Sequence, residues 1–287
     1  MSTKLPLVTN LSSRVIRILG CNPGPMTLQG TNSYLIGTGK DRILLDTSDE
    51  DKTEYVDELR NILQKLDVRV ETVLLSHWHH DHVGCIEAIQ NDQNIKANRG
   101  CSFYKMPRTD VDEEQELFSV KISPLKDGQK FLTEGATLRA VFTPGHTTDH
   151  TAFLLEEENA IFTADCVLGE GTTVLEKLAD YMKSLYILKD LKAEVLYPGH
   201  GPHNNDPEAL IGKYISHREG REKQIIESLQ RSDLTIEEIV RTVYAGLPEN
   251  LILAATQNVH QHLEKLMEEG LVVEVGEKYH LKQNNKL

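Results

Sequence analysis

Hydrophobic positions follow two different rhythms along this chain. As far as Pro202 the recurring unit is a short apolar run closed by glycine, proline or a polar turn, which predicts strands. Arg14 to Leu19 alternates apolar and polar, and Asn32–Ile36 and Arg42–Leu45 flank the turn Gly37-Thr38-Gly39-Lys40. Val73-Leu74-Leu75, Leu138–Phe142, Thr151–Leu155, Ala160–Thr163 and Glu194–Tyr197 continue the series. Between them lie stretches of helical period. Glu54–Leu66 puts Tyr55, Leu59, Ile62, Leu63 and Leu66 on one face, and Val83–Gln90 and Leu178–Leu191 behave similarly. Strands interleaved with helices predict an α/β layout. Histidines and aspartates gather where the apolar runs stop, which places a site on the loops at one sheet edge.

After Pro202 the rhythm becomes mainly helical. Thr235-Ile236-Glu237-Glu238 fits a capping box opening a helix that carries Ile239, Val240 and Val243. Leu251–Glu269 follows, with Ala255, Val259, Leu263 and Leu266 on one face and Gly270 as its stop. Leu271–Val275 and Lys278–Leu281 then read as a hairpin across Gly276-Glu277. The order helix, helix, hairpin suits a winged-helix-like module; a plain helical cap on the first domain is the other reading. The division predicted is 1–205 for a catalytic domain and 206–287 for the C-terminal module. Neither an internal repeat nor a low-complexity segment interrupts the pattern.

Composition narrows the function classes. The 287 residues suffice for one large domain and a small one. No apolar run reaches the roughly 18 residues of a membrane-spanning helix, and no signal-peptide core is visible. With 31 basic and 44 acidic residues the net charge is −13. That argues against the broad basic footprint of a duplex-binding protein. Cys21, Cys85, Cys101 and Cys166 have no C-x-x-C spacing, which predicts free thiols in a reduced compartment. The first 40 residues contain Lys4, Arg14, Arg17 and Lys40 but no acid, a composition that suits a mitochondrial address and equally an ordinary strand.

The chemistry concentrates in four strand-end clusters. Ser76-His77-Trp78-His79-His80-Asp81-His82 follows the run Val73-Leu74-Leu75 directly. Imidazole and carboxylate are the borderline ligands that zinc prefers. His77 and His79 point the same way from extended backbone and can share one ion, while Asp81 and His82 lie beyond the turn and can face a second. Thr143-Pro144-Gly145-His146 through His150, Phe162-Thr163-Ala164-Asp165-Cys166, and Tyr197-Pro198-Gly199-His200 complete the set. Eight of the twelve histidines fall in these clusters or at His203, just beyond the last. A buried carboxylate such as Asp165 needs a partner or a cation. Asp46, ending another buried run, is expected to orient a ligand histidine. His150, Thr172, Thr173 and His203 are candidates for substrate contact or proton transfer. His80 is expected to be exposed, and Cys166 to pack away from the ions.

The ordered set H-x-H-x-D-H followed by His, Asp and His at strand ends resembles the metallo-β-lactamase superfamily over roughly residues 14–202. The resemblance implies a four-layer αββα sandwich and two metal ions, taken as Zn2+. His77, His79 and His146 would hold the first, Asp81, His82 and His200 the second, and Asp165 would bridge them. Two departures stand out: Asp46-Thr47-Ser48 where Asp-Thr-Gly is usual, and Gly84-Cys85 where Gly-Gly is frequent. The segments Cys21-Asn22-Pro23-Gly24-Pro25-Met26-Thr27-Leu28-Gln29-Gly30-Thr31-Asn32 and Ile161 to Thr173 are similar to a branch of animal mitochondrial endoribonucleases that carry a C-terminal winged-helix-like module.

The function implied is hydrolysis by a hydroxide bridging two zinc ions about 3.5–4 Å apart, with Asp81 and Asp165 acting through that hydroxide. The branch implies single-stranded RNA as substrate and the mitochondrial matrix as location; a cytoplasmic location is the alternative. The leading alternative activity is thioester or small-ester hydrolysis resembling glyoxalase II. An iron-dependent oxygenase, or a non-catalytic RNA-binding protein with a decayed site, would be different classes on the same residues. Asp165 and His200 are only 35 positions apart, leaving no room between them for an extra clamping domain. Residues 234–287 carry five Lys/Arg and eight Glu, so the module is expected to act as scaffold or dimer contact rather than as a nucleic-acid grip. Monomer and homodimer are both compatible with the sequence.

Overall fold

The computed structural model describes residues 3–111 and 119–282. Seven strands form the first sheet: β1 (Val8–Asn10), β2 (Val15–Leu19), β3 (Asn32–Ile36), β4 (Asp41–Leu45), β5 (Arg69–Leu75), β6 (Ser102–Lys105) and β7 (Ile122–Pro124), in spatial order β1 to β7. Pairing is antiparallel as far as β4 and parallel from β4 onwards. The second sheet runs β12-β11-β10-β9-β8, from β8 (Lys130–Thr133), β9 (Ala136–Phe142), β10 (Thr151–Leu155), β11 (Ala160–Ala164) and β12 (Val195–Pro198).

The central strands β3, β10 and β11 are buried at every position because both of their faces are covered. Tyr34, Ile36, Ile43, Leu45 and Leu74 point inward to Phe153, Phe162 and Tyr197 of the second sheet. Their neighbours Leu35, Leu44, Val73 and Leu75 point outward, against Tyr55, Leu59 and Leu63 of α1 (Thr53–Leu66). On the far side, Ala152, Leu154, Ile161 and Leu196 meet Leu185 and Leu188 of α4 (Leu178–Asp190) and Ile211 and Ile215 of α5 (Pro207–Leu229). The layers are therefore α, β, β, α, as expected. The predicted helix Val83–Gln90 is instead two short pieces, α2 (His80–Val83) and α3 (Ile86–Asn91). The break falls where the Cys85 amide leaves the helical ladder for the carbonyl of Ser48.

The C-terminal module has its own core. Asp206 caps α5 by accepting the Ala209 amide at 3.1 Å, with Pro207 in the first turn. The first half of α5 packs on α4, and its second half, through Ile225 and Leu229, enters the module's core. That core is closed by α6 (Ile236–Val243), α7 (Ile252–Glu268) and the hairpin β13 (Val272–Val275) and β14 (Lys278–Leu281). The capping box forms as predicted, Thr235 and Glu238 exchanging side-chain and backbone bonds. Gly270 ends α7 in left-handed backbone, φ +72°. No helix among the described residues is long and apolar enough to cross a membrane. Arg14 and Arg17, which gave the N-terminus its cationic look, are used within the fold: one pairs with Glu158 at 2.9 Å, the other is buried on the Thr9 hydroxyl at 2.8 Å.

Candidate metal centre

The C-terminal ends of β4, β5, β9, β11 and β12 and the start of β10 come together at one edge of the sandwich. The two sheets are pinned there by backbone bonds, Thr151 N–H to the Ser76 carbonyl at 2.8 Å and Asn32 N–H to the Gly199 carbonyl at 2.7 Å. The seven residues expected as ligands converge on this edge in two groups. One ligand atom from each of His77, His79, His146 and Asp165 lies within 4.8 Å of the others, and the same holds for Asp81, His82 and His200.

The spacing inside each group is that of a coordination shell. His77 Nε2, His79 Nδ1 and His146 Nε2 form a triangle with sides of 3.0, 3.0 and 3.2 Å. A tetrahedral ion with nitrogen ligands at about 2.0–2.1 Å has ligand-to-ligand edges of about 3.3–3.4 Å. In the second group Asp81 Oδ2 is 3.2 Å from His82 Nε2 and 3.3 Å from His200 Nε2. Asp165 lies between the groups: its Oδ1 is 3.5 Å from His82 Nε2, and its Oδ2 is 3.3 Å from His200 Nε2 and 3.7 Å from His146 Nε2. His82 Nε2 and Asp165 Oδ1 are buried without a hydrogen-bond partner, a costly arrangement that a cation between them would resolve.

Around these atoms a shell of neighbours fixes the rings. Asp46, at φ +58°, accepts the Ser76 amide (2.7 Å), the Ser76 hydroxyl (2.8 Å) and His82 Nδ1 (2.9 Å), turning His82 Nε2 inward. The Thr31 hydroxyl donates to Asp81 Oδ2 at 2.8 Å and is itself held by the Asn22 amide at 3.0 Å. Asn32 donates to the carbonyls of Pro198 and Gly201 at 2.8 and 2.9 Å, gripping the loop that presents His200. His146 Nδ1 lies 2.7 Å from the Val174 carbonyl and 3.0 Å from the Thr173 hydroxyl. Sequence reasoning missed Asn22, Thr31 and Asn32. Their only signal was membership of the polar, glycine-punctuated segment 21–32, which has no strand or helix period.

Burial and charge sort the protonation states. Burial pushes His77 well below the ordinary imidazole range and His79 down to about 4, and it lowers His146 as well. These rings are neutral at pH 7, the state a ligand needs. Burial also presses on His82 and His200, but the surrounding carboxylates outweigh it. Asp81, Asp165 and Asp46 lift His82 well above its ordinary value, and Asp165 and Asp81 lift His200 to about 9. Burial opposes ionisation of Asp81 and Asp165, and the facing histidines overcome it, holding both far below the carboxylate range. Buried Asp165 and half-buried Asp81 thus face a set of imidazoles with concentrated negative potential, and the donor set fits metal cations.

The remaining candidates separate. Thr172 lines the cleft of about 350 Å³ that opens onto His79, Asp81, His146, Asp165 and His200. Thr173 lines it too, but its hydroxyl is engaged with His146. His150 is fully buried beneath the ligands, its ring 5.3 Å from that of His77 and its Nδ1 2.9 Å from the Thr143 hydroxyl. It supports the floor and does not meet the cleft. His203 is exposed, 6.5 Å from the Tyr197 ring and outside the cleft lining. His80 is exposed and Cys166 is packed in the outer core, both as expected. The two departures are accommodated locally. The Ser48 hydroxyl bonds to the Gly20 carbonyl in space that a Cβ on Gly20 would take, 2.6 Å away. The Cys85 thiol sits on the Asp49 carbonyl at 3.1 Å.

Comparison with known proteins agrees with this geometry. Residues 26–200 match the model described as "Metallo-beta-lactamase superfamily", and residues 235–279 match "Beta-lactamase associated winged helix domain". The chain is 46% identical over 271 residues to the Beta-lactamase-like protein 2 homolog of Drosophila melanogaster, covering 93% of this chain and 92% of that one. It is 44% identical over 271 residues to the Beta-lactamase-like protein 2 homolog of Caenorhabditis elegans, with 94% and 90% covered. Among solved structures, a metallo-β-lactamase family protein from Thermus thermophilus superposes with a TM-score of 0.71 at 23% identity, over 95% of this chain and all of that one.

Proposed function

The chain belongs to the metallo-β-lactamase superfamily, and from that premise we propose that it is an endoribonuclease that cleaves single-stranded RNA with two zinc ions. The observation that carries the reading is the end-to-end likeness to the β-lactamase-like protein 2 homologues, winged helix included, over a complete set of seven ligand atoms. In this reading His77, His79 and His146 hold one ion, Asp81, His82 and His200 the other, and Asp165 lies between both. Residues 1–205 form the catalytic domain and 206–287 the module, α5 serving both.

Zinc held by these residues would supply Lewis acidity and offset negative charge on a phosphate. The chain's own residues do the rest. Asp46 fixes the tautomer of His82, Thr31 aims Asp81, and Val174 with Thr173 sets the ring plane of His146. Thr172 and Gly171, the latter in left-handed conformation at φ +79°, line the cleft where a phosphate would be held. Exposed Met26 and Val174, both lining the cleft, offer apolar surface to an unstacked base. Among the described residues the cleft lining contains no lysine or arginine, which favours a single flexible strand held at the ions over a gripped duplex. We place the protein in the mitochondrial matrix, with cytoplasmic recovery in an import assay as the outcome against it.

The test is cleavage of a labelled single-stranded RNA by metal-replete wild type and by Asp165→Asn, with a thioester run in parallel. RNA cleavage lost in the variant supports the proposal. Thioester turnover with the RNA left intact would move the protein to the small-ester hydrolases. Full RNA cleavage by Asp165→Asn would refute the two-metal scheme.

A further inference from the structure

The loop from Thr173 to Lys177 wraps the turn that presents His146. Val174 contributes the carbonyl that meets His146 Nδ1, and the amides of Glu176 and Lys177 donate to the Gly145 carbonyl at 2.9 and 3.0 Å. The Glu176 side chain returns to accept the Thr148 amide at 3.0 Å. This loop therefore determines the orientation of the third imidazole in the first group.

Further contacts at both ends of the loop come from outside residues 26–200. The helix that follows it, α4, has no cap of its own, since Lys177 at its N-cap position offers no side-chain acceptor to the first amides. Gln261 of α7, 83 residues away, caps it instead. Its Oε1 accepts the Leu178 amide at 3.0 Å, and its Nε2 donates to the Glu176 carbonyl at 2.9 Å. At the loop's other end Arg218 of α5, buried and lying over the Tyr181 ring at 5.8 Å, donates to the Thr173 carbonyl at 3.3 Å. One side chain from α5 and one from α7 thus clamp both ends of a five-residue loop that carries the ring contacts of a ligand.

We propose that Gln261 and Arg218 are positioning residues of the metal centre, and that the C-terminal module serves the active site by locking the Thr173–Lys177 loop against His146. The inference rests on reading His77, His79 and His146 as one ligand set. The neutral Gln261 amide suits this role because it caps the helix and holds the loop without adding charge of its own. The nearby Lys177–Glu268 pair at 3.2 Å joins the same elements but is half exposed at both ends and bonds to none of the loop's backbone groups.

The experiment is stepwise zinc titration of the full chain against a chromophoric chelator, with cobalt(II) spectra of the loaded protein and a thermal melt of the metal-free protein. Gln261→Ala should weaken one of the two metal equivalents at least 10-fold, the scale of losing a group that orients a ligand. It should shift the cobalt spectrum and leave the other equivalent and the metal-free melt unchanged. Glu268→Ala should match wild type in all three. Wild-type affinity for both equivalents in Gln261→Ala would overturn the proposal. So would equal weakening of both together with a lowered melt, which would mark a generally structural role. If Gln261→Ala does not fold, Gln261→Glu, which keeps the acceptor for Leu178 and loses the donor to Glu176, is judged by the same criteria. Failure of the wild type to take up two equivalents would instead refute the metal-site reading beneath.

Discussion

Replacing Asp46 by asparagine tests how the second group of ligands is held. The carboxylate accepts three hydrogen bonds, two from Ser76 and one from His82 Nδ1. Asparagine keeps the shape and tolerates φ +58°, a conformation in which Asp and Asn are enriched. Its oxygen can retain the Ser76 amide, and the Ser76 hydroxyl can rotate to accept from the new NH2. His82 cannot adjust without consequence. A donor facing Nδ1 selects the tautomer with its proton on Nε2, the atom that must face the cation. Holding the useful tautomer then forfeits a hydrogen bond to a charged group, about 1.5–3 kcal/mol, or roughly 10- to 150-fold in affinity at about 1.4 kcal/mol per decade. The variant should therefore bind one zinc as wild type does and the other at least 10-fold more weakly. The metal-free fold should change by only about 1 kcal/mol, one neutral hydrogen bond's worth. Zinc competition titration with a denaturant melt of the stripped protein reads both quantities. Two undiminished zinc affinities in Asp46→Asn would refute the orienting role.

Two further substitutions probe features near the ions. Gly199→Ala would place a Cβ 2.2 Å from Asp165 Oδ1 and 3.1 Å from His82 Cε1; dialysed protein should retain less than one zinc while circular dichroism stays native, and full metal content would count against the tight approach. Lys105→Met strips the partner 2.9 Å from Asp149, in a pair whose side chains are 2% and 0% exposed. The orphaned carboxylate should cost about 3–5 kcal/mol in urea unfolding, much of it restored by adding Asp149→Asn. A loss under about 1 kcal/mol in the single variant would show the pair to be dispensable.

How far the chain could be read depended on whether the determining force was local. Asn32–Ile36 and Thr151–Leu155 were legible to the residue because every position of each strand is buried. The seven candidate ligands were singled out because they follow the ends of apolar runs. Asp46 was found for the same reason. The segment Val83–Gln90 looked like one helix because its side chains allow it. The break is imposed from elsewhere: a Cβ on Gly84 would lie 2.3 Å from the Glu50 amide nitrogen, and the Cys85 amide bonds to Ser48. Thr31, Asn32 and Gln261 stayed hidden for a related reason. A single polar side chain reaching a group 50 or more positions away leaves no periodic trace. His150 and His203 fell near ligand clusters in sequence, yet pleat direction sent the first into the floor and the turn after His200 sent the second to the surface.

The continuity of α5 bears on how the molecule comes apart. Its 23 residues, about 34 Å of helix at 1.5 Å per residue, supply Ile211 and Ile215 to one core and Ile225 and Leu229 to the other. A helix propagates its hydrogen bonds cooperatively, so fraying from the module's end removes wall from both cores in turn. The two cores share a structural member rather than a tether, and their melting is coupled. Loss of the small core exposes apolar surface on the large one beside α4, at the element whose first turn adjoins the ligand loop.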